Sequence, residues 1–134
     1  MIGVLIVTHG DIGTSLLTSA SQILGAPQEQ VATLSVWRAD DIDDLVLRAR
    51  ELIEGLDAGN GVIVLTDIFG ATPGNVVSRL LEDGRIEGVS GVSLPMLLRV
   101  LTGRNGSLAG AVQRALSGGT EGLVHMNSDR CLDA

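Results

Sequence analysis

Two residues stand out for chemistry. His9 ends the apolar run "VLIVTHG" (4–10), and Asp67 ends "GVIVLTD" (61–67). Each run reads as a buried strand that delivers a polar side chain at its last steps, the place where open α/β sheets bind their ligands. The only other histidine, His125, is remote in sequence. A neutral imidazole can attack a phosphoryl group through one nitrogen while the other holds the proton. A carboxylate accepting from Nδ1–H fixes that tautomer, leaves Nε2 free and offsets positive charge forming on the ring. After Asp67 comes "IFGATPGN" (68–75), in which Gly70, Ala71 and Thr72 are small and Pro73 suits the first position of a helix. Backbone N–H groups at such a turn can take charge on phosphoryl oxygens. Gly10 and Gly13 keep the first loop open in the same way. His9 and Asp67 are therefore the candidate catalytic pair, and Gly10, Gly70, Ala71 and Thr72 the candidate phosphoryl-binding residues. No cation stands close to them in sequence. Arg99 and Arg104 are the ones the fold could bring near.

For these residues to meet, the chain must fold as an alternating α/β unit. Residues 12–24, "IGTSLLTSASQIL", carry Leu16, Leu17, Ala20, Ile23 and Leu24 at helical spacing, and Gly25 and Pro27 stop that helix. "VATLSVW" (31–37) is a second strand. Residues 40–54 form a second helix with acids in its first turn and Leu45, Val46, Ala49, Leu52 and Ile53 as its buried stripe. After the strand at 61–67, helices are expected at 73–81, 95–101 and 108–116, with a fourth strand at 86–94. "GLVHM" (122–126) is a candidate last strand at the sheet edge, and "NSDRCLDA" (127–134) reads as a flexible tail. Alternation of this kind gives a three-layer, mostly parallel open sheet with right-handed crossovers. With order 2-1-3-4, the first and third strands are neighbours at the point where strand order reverses, so His9 and Asp67 meet there. One domain over 1–126 holds the whole set.

Composition narrows the function. The chain has 134 residues, 45% of them hydrophobic, a formal charge of −7 and no lysine. A nucleic-acid ligand is improbable for so acidic a chain, because phosphate-backbone binding needs a basic footprint. Phe69 and Trp37 are the only aromatics, so the core is built from Val, Leu, Ile and Ala. One cysteine, Cys131, forms no internal disulfide and suits a reducing cytoplasm. "MIGVLIV" lacks the charge and length of a signal sequence or membrane span, so a soluble cytoplasmic protein is expected. No metal or cofactor is expected. Asp40, Asp41, Asp43 and Asp44 make a solvated helix start without EF-hand spacing, and Cys131 with His125 falls two ligands short of a zinc site. No Walker lysine or G-x-G-x-x-G follows the first strand, which weakens a nucleotide-binding reading. A small hydrolase or isomerase with His9 as general base would need a closed pocket, and the short loops leave little to build one. Trp37 could belong to the core or to a contact surface.

The stretches "IGVLIVTHGDIGTSLLTSASQILG", "VIVLTDIFGATPGNVVSRLL" and "VSGVSLPMLLRVL" resemble, in order and spacing, the enzyme IIA domain of the mannose-type sugar phosphotransferase system. The resemblance runs to about residue 126. It implies a phosphocarrier whose strand-end histidine accepts a phosphoryl group from phospho-HPr and passes it to a IIB component. By position, His9 is the phosphorylated residue, Asp67 its orienting acid and Thr72 a residue near the phosphoryl oxygens. It also implies a homodimer that exchanges a C-terminal strand, which "GLVHM" could supply, and a membrane association only indirectly, through a IIC/IID complex. Two departures stand out. Alanine replaces the second glycine usual at 70–71, and Arg99 follows "LPMLL" where an acid is common. No IIB domain follows, so a free-standing IIA is expected, in sugar uptake or in regulation set by its phosphorylation state. The related phosphocarrier subunit of dihydroxyacetone kinase tends to read "SHS" at the histidine, unlike "THG" here.

Overall fold

A computed structural model describes residues 1–129. Cys131 and most of the tail expected at 127–134 lie outside the described residues. Four parallel strands, β1 (Gly3–His9), β2 (Val31–Val36), β3 (Val62–Thr66) and β4 (Ile86–Ser90), form one sheet in the order β2-β1-β3-β4. The helices are α1 (Ile12–Leu24), α2 (Ile42–Leu56), α3 (Thr72–Ser78), α4 (Leu94–Leu101), α5 (Leu108–Glu121) and the short α6 (Met126–Asp129). This is the three-layer α/β fold and the strand order expected from the alternation.

The period of two along the central strands divides the core. Leu5, Val7, Val62 and Val64 face α2 and α3, where they meet Leu45, Ala49, Ile53 and Val76. Val4, Ile6, Ile63 and Leu65 face the other way and meet Ala20, Leu97, Val100 and Ala115. Both faces are covered, which is why these strands read as continuous apolar runs. Full burial of each such side chain contributes about 1.5–3 kcal/mol, enough in sum to hold the sheet ends where the site is built. Register then aligns the carboxyl ends: His9 lies opposite Val36 of β2, and Val7 lies opposite Thr66 of β3.

Several boundaries differ from the periodicity, each for a local reason. The second helix starts at Ile42 rather than at residue 40, because Asp41 caps it through the Asp43 N–H and Asp40 is engaged with Trp37. The fourth strand stops at Ser90, where Gly91 turns with φ 86° and Val92 N–H donates to Thr66 O. The helix expected at 108–116 runs on to Glu121, through Gly118 and Gly119. Gly118 is there for close packing: a Cβ on it would lie 2.8 Å from the Arg99 Cβ and 3.2 Å from the Met96 Cα. The candidate last strand at 122–126 is not a strand. Residues 123–125 are irregular, and Met126 opens α6. Gly122 is wedged against Pro95, at the start of α4, and residues 123–125 have no ladder partner among the described residues. Leu123 and Met126 are 85% and 78% exposed. Among the described residues, no helix is long and apolar enough to cross a membrane.

Candidate active site

The site starts from "THG". Thr8 is buried, and its Oγ1 accepts the Gly13 N–H at 2.8 Å, which ties the first turn of α1 to the end of β1. Glycine at 13 makes that approach feasible, since a Cβ would lie 2.9 Å from the Ile6 Cγ2 and 3.0 Å from the Thr8 Oγ1. His9, one step further, leaves the sheet, and its side chain is 48% exposed. Gly10 adopts φ 49°, a left-handed turn that glycine tolerates, while its N–H donates to Val36 O at 2.9 Å. The strand therefore hands over a half-exposed imidazole from a backbone fixed on both sides.

Asp67, directly after β3, meets it. Oδ2 lies 2.8 Å from the His9 Nδ1 and accepts the His9 backbone N–H at 3.1 Å, while Oδ1 accepts the Ile68 N–H at 3.1 Å. Burial raises the Asp67 carboxyl, but the hydrogen bonds from the His9 ring and backbone, with the charge of that ring, outweigh it and hold the group below its usual range. An ionised carboxylate only accepts, so Nδ1 carries the proton in this contact. Nε2 makes no hydrogen bond with any described residue.

His9 opens into a cleft of about 380 Å³, lined also by Val36, Trp37, Arg38, Asp40 and Thr72. Three of the residues expected at the site thus converge here: His9 and Asp67 in contact, and Thr72, the first residue of α3, across the cleft from β2. Gly10 adjoins His9. Gly70 and Ala71 lie on the connection from β3 to α3 and are not among the lining residues; Gly70 turns with φ 86° and Ala71 caps α3. Arg99 and Arg104, the cations the fold could have brought near, are elsewhere. Arg99 joins α4 to α5 through Glu121 and Ser117. Arg104 is buried at the opposite sheet end, donating to Glu29 O at 2.6 Å.

The cation at the cleft is Arg38, which the motifs did not single out. The signal for it was the strand order: if β2 adjoins β1, the residues just after Val36 must border His9. Trp37 follows the same rule and is a surface residue, 58% exposed, with its ring against Gly10. Among the described residues, no group of three His, Cys, Asp or Glu side chains is placed to hold a metal ion.

Comparison with known proteins agrees with this architecture. A family model described as the PTS system fructose IIA component matches residues 3–116. The chain is 33% identical over 103 residues to the PTS system fructose-specific EIIA component of Bacillus subtilis, covering 76% of this chain and 70% of that protein. It is 32% identical over 125 residues to the PTS system mannose-specific EIIAB component of Escherichia coli, covering 91% of this chain; the chain spans only 38% of that longer protein. A crystal structure of the phosphotransferase system component EIIA from Streptococcus agalactiae superposes with a TM-score of 0.85 at 28% identity, over 96% of this chain and 99% of that one. With the family match covering most of the sheet and the helices that flank it, the chain belongs to the mannose/fructose-type IIA components of the phosphotransferase system.

Proposed function

We propose that this protein is a phosphocarrier that accepts a phosphoryl group from phospho-HPr on Nε2 of His9 and passes it to a IIB component. One observation carries the reading: the 2.8 Å contact between the His9 Nδ1 and an ionised Asp67 holds the proton on Nδ1 and leaves the unshared pair on Nε2, in a residue that lines the cleft. In the transfer, Nε2 attacks phosphorus and the new N–P bond forms as the donor's N–P bond breaks. The electron pair of the broken bond stays on the donor nitrogen. The positive charge left on the His9 ring sits against Asp67, and transfer to the acceptor runs the same path in reverse. Thr72 and the backbone around Gly10, Gly70 and Ala71 complete the surroundings of the phosphoryl oxygens in this reading.

A cytoplasmic location follows from the chemistry, because the donor is a phosphorylated protein regenerated from a metabolite. Assembly as a homodimer through exchange of the C-terminal segment is part of the same reading. The exposed Leu123, Val124 and Met126, left without cover after α5, support it. Incubation with phosphoenolpyruvate, enzyme I and HPr tests the function. The expected result is one acid-labile phosphoryl group per chain, lost in His9→Ala and kept in His125→Ala. Absence of label from the folded wild-type chain would overturn the reading.

A further inference from the structure

We propose that Arg38 is a phosphoryl-binding residue of this site, gripping the oxygens of the group on its way to Nε2 of His9. The inference rests on the phosphocarrier reading above and adds to it a side chain that recognises the transferred group.

Arginines in this chain are mostly occupied. Arg79 pairs with Asp43 at 2.8 Å, and Arg85 with Glu54, Asp57 and Glu82. Arg99 pairs with Glu121, while Arg50, Arg104 and Arg114 donate to backbone carbonyls. Arg38 makes no hydrogen bond or ion pair with any described residue, and it lines the His9 cleft. Among the described residues it is the only arginine that lines the cleft. Asp40 shares the cleft and Asp67 adjoins it, in a chain of formal charge −7. A phosphoryl group entering that space adds about two more negative charges, as phosphate monoesters do at neutral pH. Without a cation, the local field opposes the transfer this site is built to perform.

The loop that carries Arg38 is held in place. Asp40 Oδ2 accepts the Trp37 N–H at 2.8 Å, and Asp40 N–H donates to Trp37 O at 3.0 Å, closing a turn with Arg38 at its corner. The Trp37 ring lies over Gly10, where a Cβ would come within 3.2 Å of it. The turn is thus clamped to the residue that follows His9. A guanidinium offers donors in a planar fork that fits phosphoryl oxygens, and one with no partner among the described residues has a bidentate edge free for the incoming group.

The test is single-turnover phosphorylation of the full chain by phosphoramidate, a small donor that needs no protein docking. Wild type, Arg38→Ala, Arg38→Lys and Arg48→Ala are compared. Arg48 is exposed on α2 and does not line the cleft, so its loss matches the charge change alone. The proposal expects Arg38→Ala to label about tenfold or more slowly, by loss of one donor group aimed at the phosphoryl oxygens. Arg38→Lys should recover part of the rate, and Arg48→Ala should stay within about twofold, as expected of a screened surface charge. Equal rates for Arg38→Ala and wild type would overturn the proposal. So would equal slowing by Arg38→Ala and Arg48→Ala, or slowing only with a protein donor, which would make Arg38 a docking residue. A folded wild-type chain that takes no label at His9 would overturn the phosphocarrier reading itself, and this proposal with it.

Discussion

Replacing Asp67 by asparagine removes the charge of the carboxylate while nearly keeping its shape. In the native site Oδ2 accepts two donors from His9, the ring Nδ1–H at 2.8 Å and the backbone N–H at 3.1 Å, and Oδ1 accepts the Ile68 N–H at 3.1 Å. An amide can place its oxygen toward His9 or toward Ile68. The first orientation keeps both His9 bonds and sets the NH₂ group against the Ile68 N–H. The second keeps the Ile68 bond, donates to Nδ1 and sets the NH₂ group against the His9 N–H. Each satisfies two bonds and leaves one clash of donors, so both are populated. The second moves the ring proton to Nε2 and blocks attack. The first loses only the charge: a hydrogen bond to a charged group contributes about 1.5–3 kcal/mol and a neutral one about 0.5–1.5, a difference of roughly tenfold in rate. Combined, transfer to His9 in Asp67→Asn should slow by about ten- to a hundredfold. A variant locked in the wrong tautomer would lose about 10⁴, as a carboxylate-to-amide change does in serine proteases. The variant should still fold, with a loss of about 1 kcal/mol, or about 4 °C in Tm for a domain of this size. The assay is single-turnover labelling beside ¹⁵N NMR of the His9 ring, which should show Nδ1–H alone in wild type and a share of Nε2–H in the variant. Labelling within about twofold of wild type together with an unchanged tautomer would refute the role given to Asp67.

Three other outcomes follow from the packing. Asp57 Oδ1 accepts the Gly59 and Gly61 N–H groups at 2.8 and 3.1 Å, and these bonds, helped by Arg85, hold its carboxyl below its ordinary 3.8. A pKa lowered on folding means that the unfolded chain binds more protons as acid is added, so this contribution is full above the ordinary value and fades as pH falls through the folded one. Asp57→Ala should therefore cost about 1–2 kcal/mol at neutral pH, and denaturant titrations should show that gap closing below pH 3.8. Arg104→Ala removes a buried guanidinium that donates to Glu29 O at 2.6 Å; thermal melts should show a loss of about 2–3 kcal/mol, with His9 labelling intact because the side chain lies at the far sheet end. Gly13→Ala puts a methyl group 2.9 Å from the Ile6 Cγ2; it should destabilise by about 1–3 kcal/mol through overpacking, measured by chemical denaturation.

His9 and Asp67 were legible because each closes an apolar run, and a run buried on both faces marks a central parallel strand whose end is a ligand platform. The strand order was legible for the same reason: alternating helices and strands leave few topologies. Arg38 was missed because its place at the cleft depends on which strand adjoins β1, not on any local pattern around it. Arg99 and Arg104 were open candidates for the neighbourhood of the site, and neither reaches it, since sequence distance says nothing of which sheet end a loop serves; Arg104 belongs to the end where β1 begins. The helix expected at 108–116 runs on through Gly118 and Gly119, which allow α5 to approach α4 closely, a tertiary demand that overrides propensity. Leu123 and Val124 carry a strand-like pattern, but a strand needs a paired edge and none of the described residues pairs with them.

The central claim concerns one atom, and ¹H–¹⁵N–³¹P correlation on the phosphorylated chain reads it directly. The geometry predicts phosphorus bonded to Nε2 of His9, with Nδ1 still protonated and facing Asp67. Phosphorus on Nδ1, or on any residue other than His9, would contradict it.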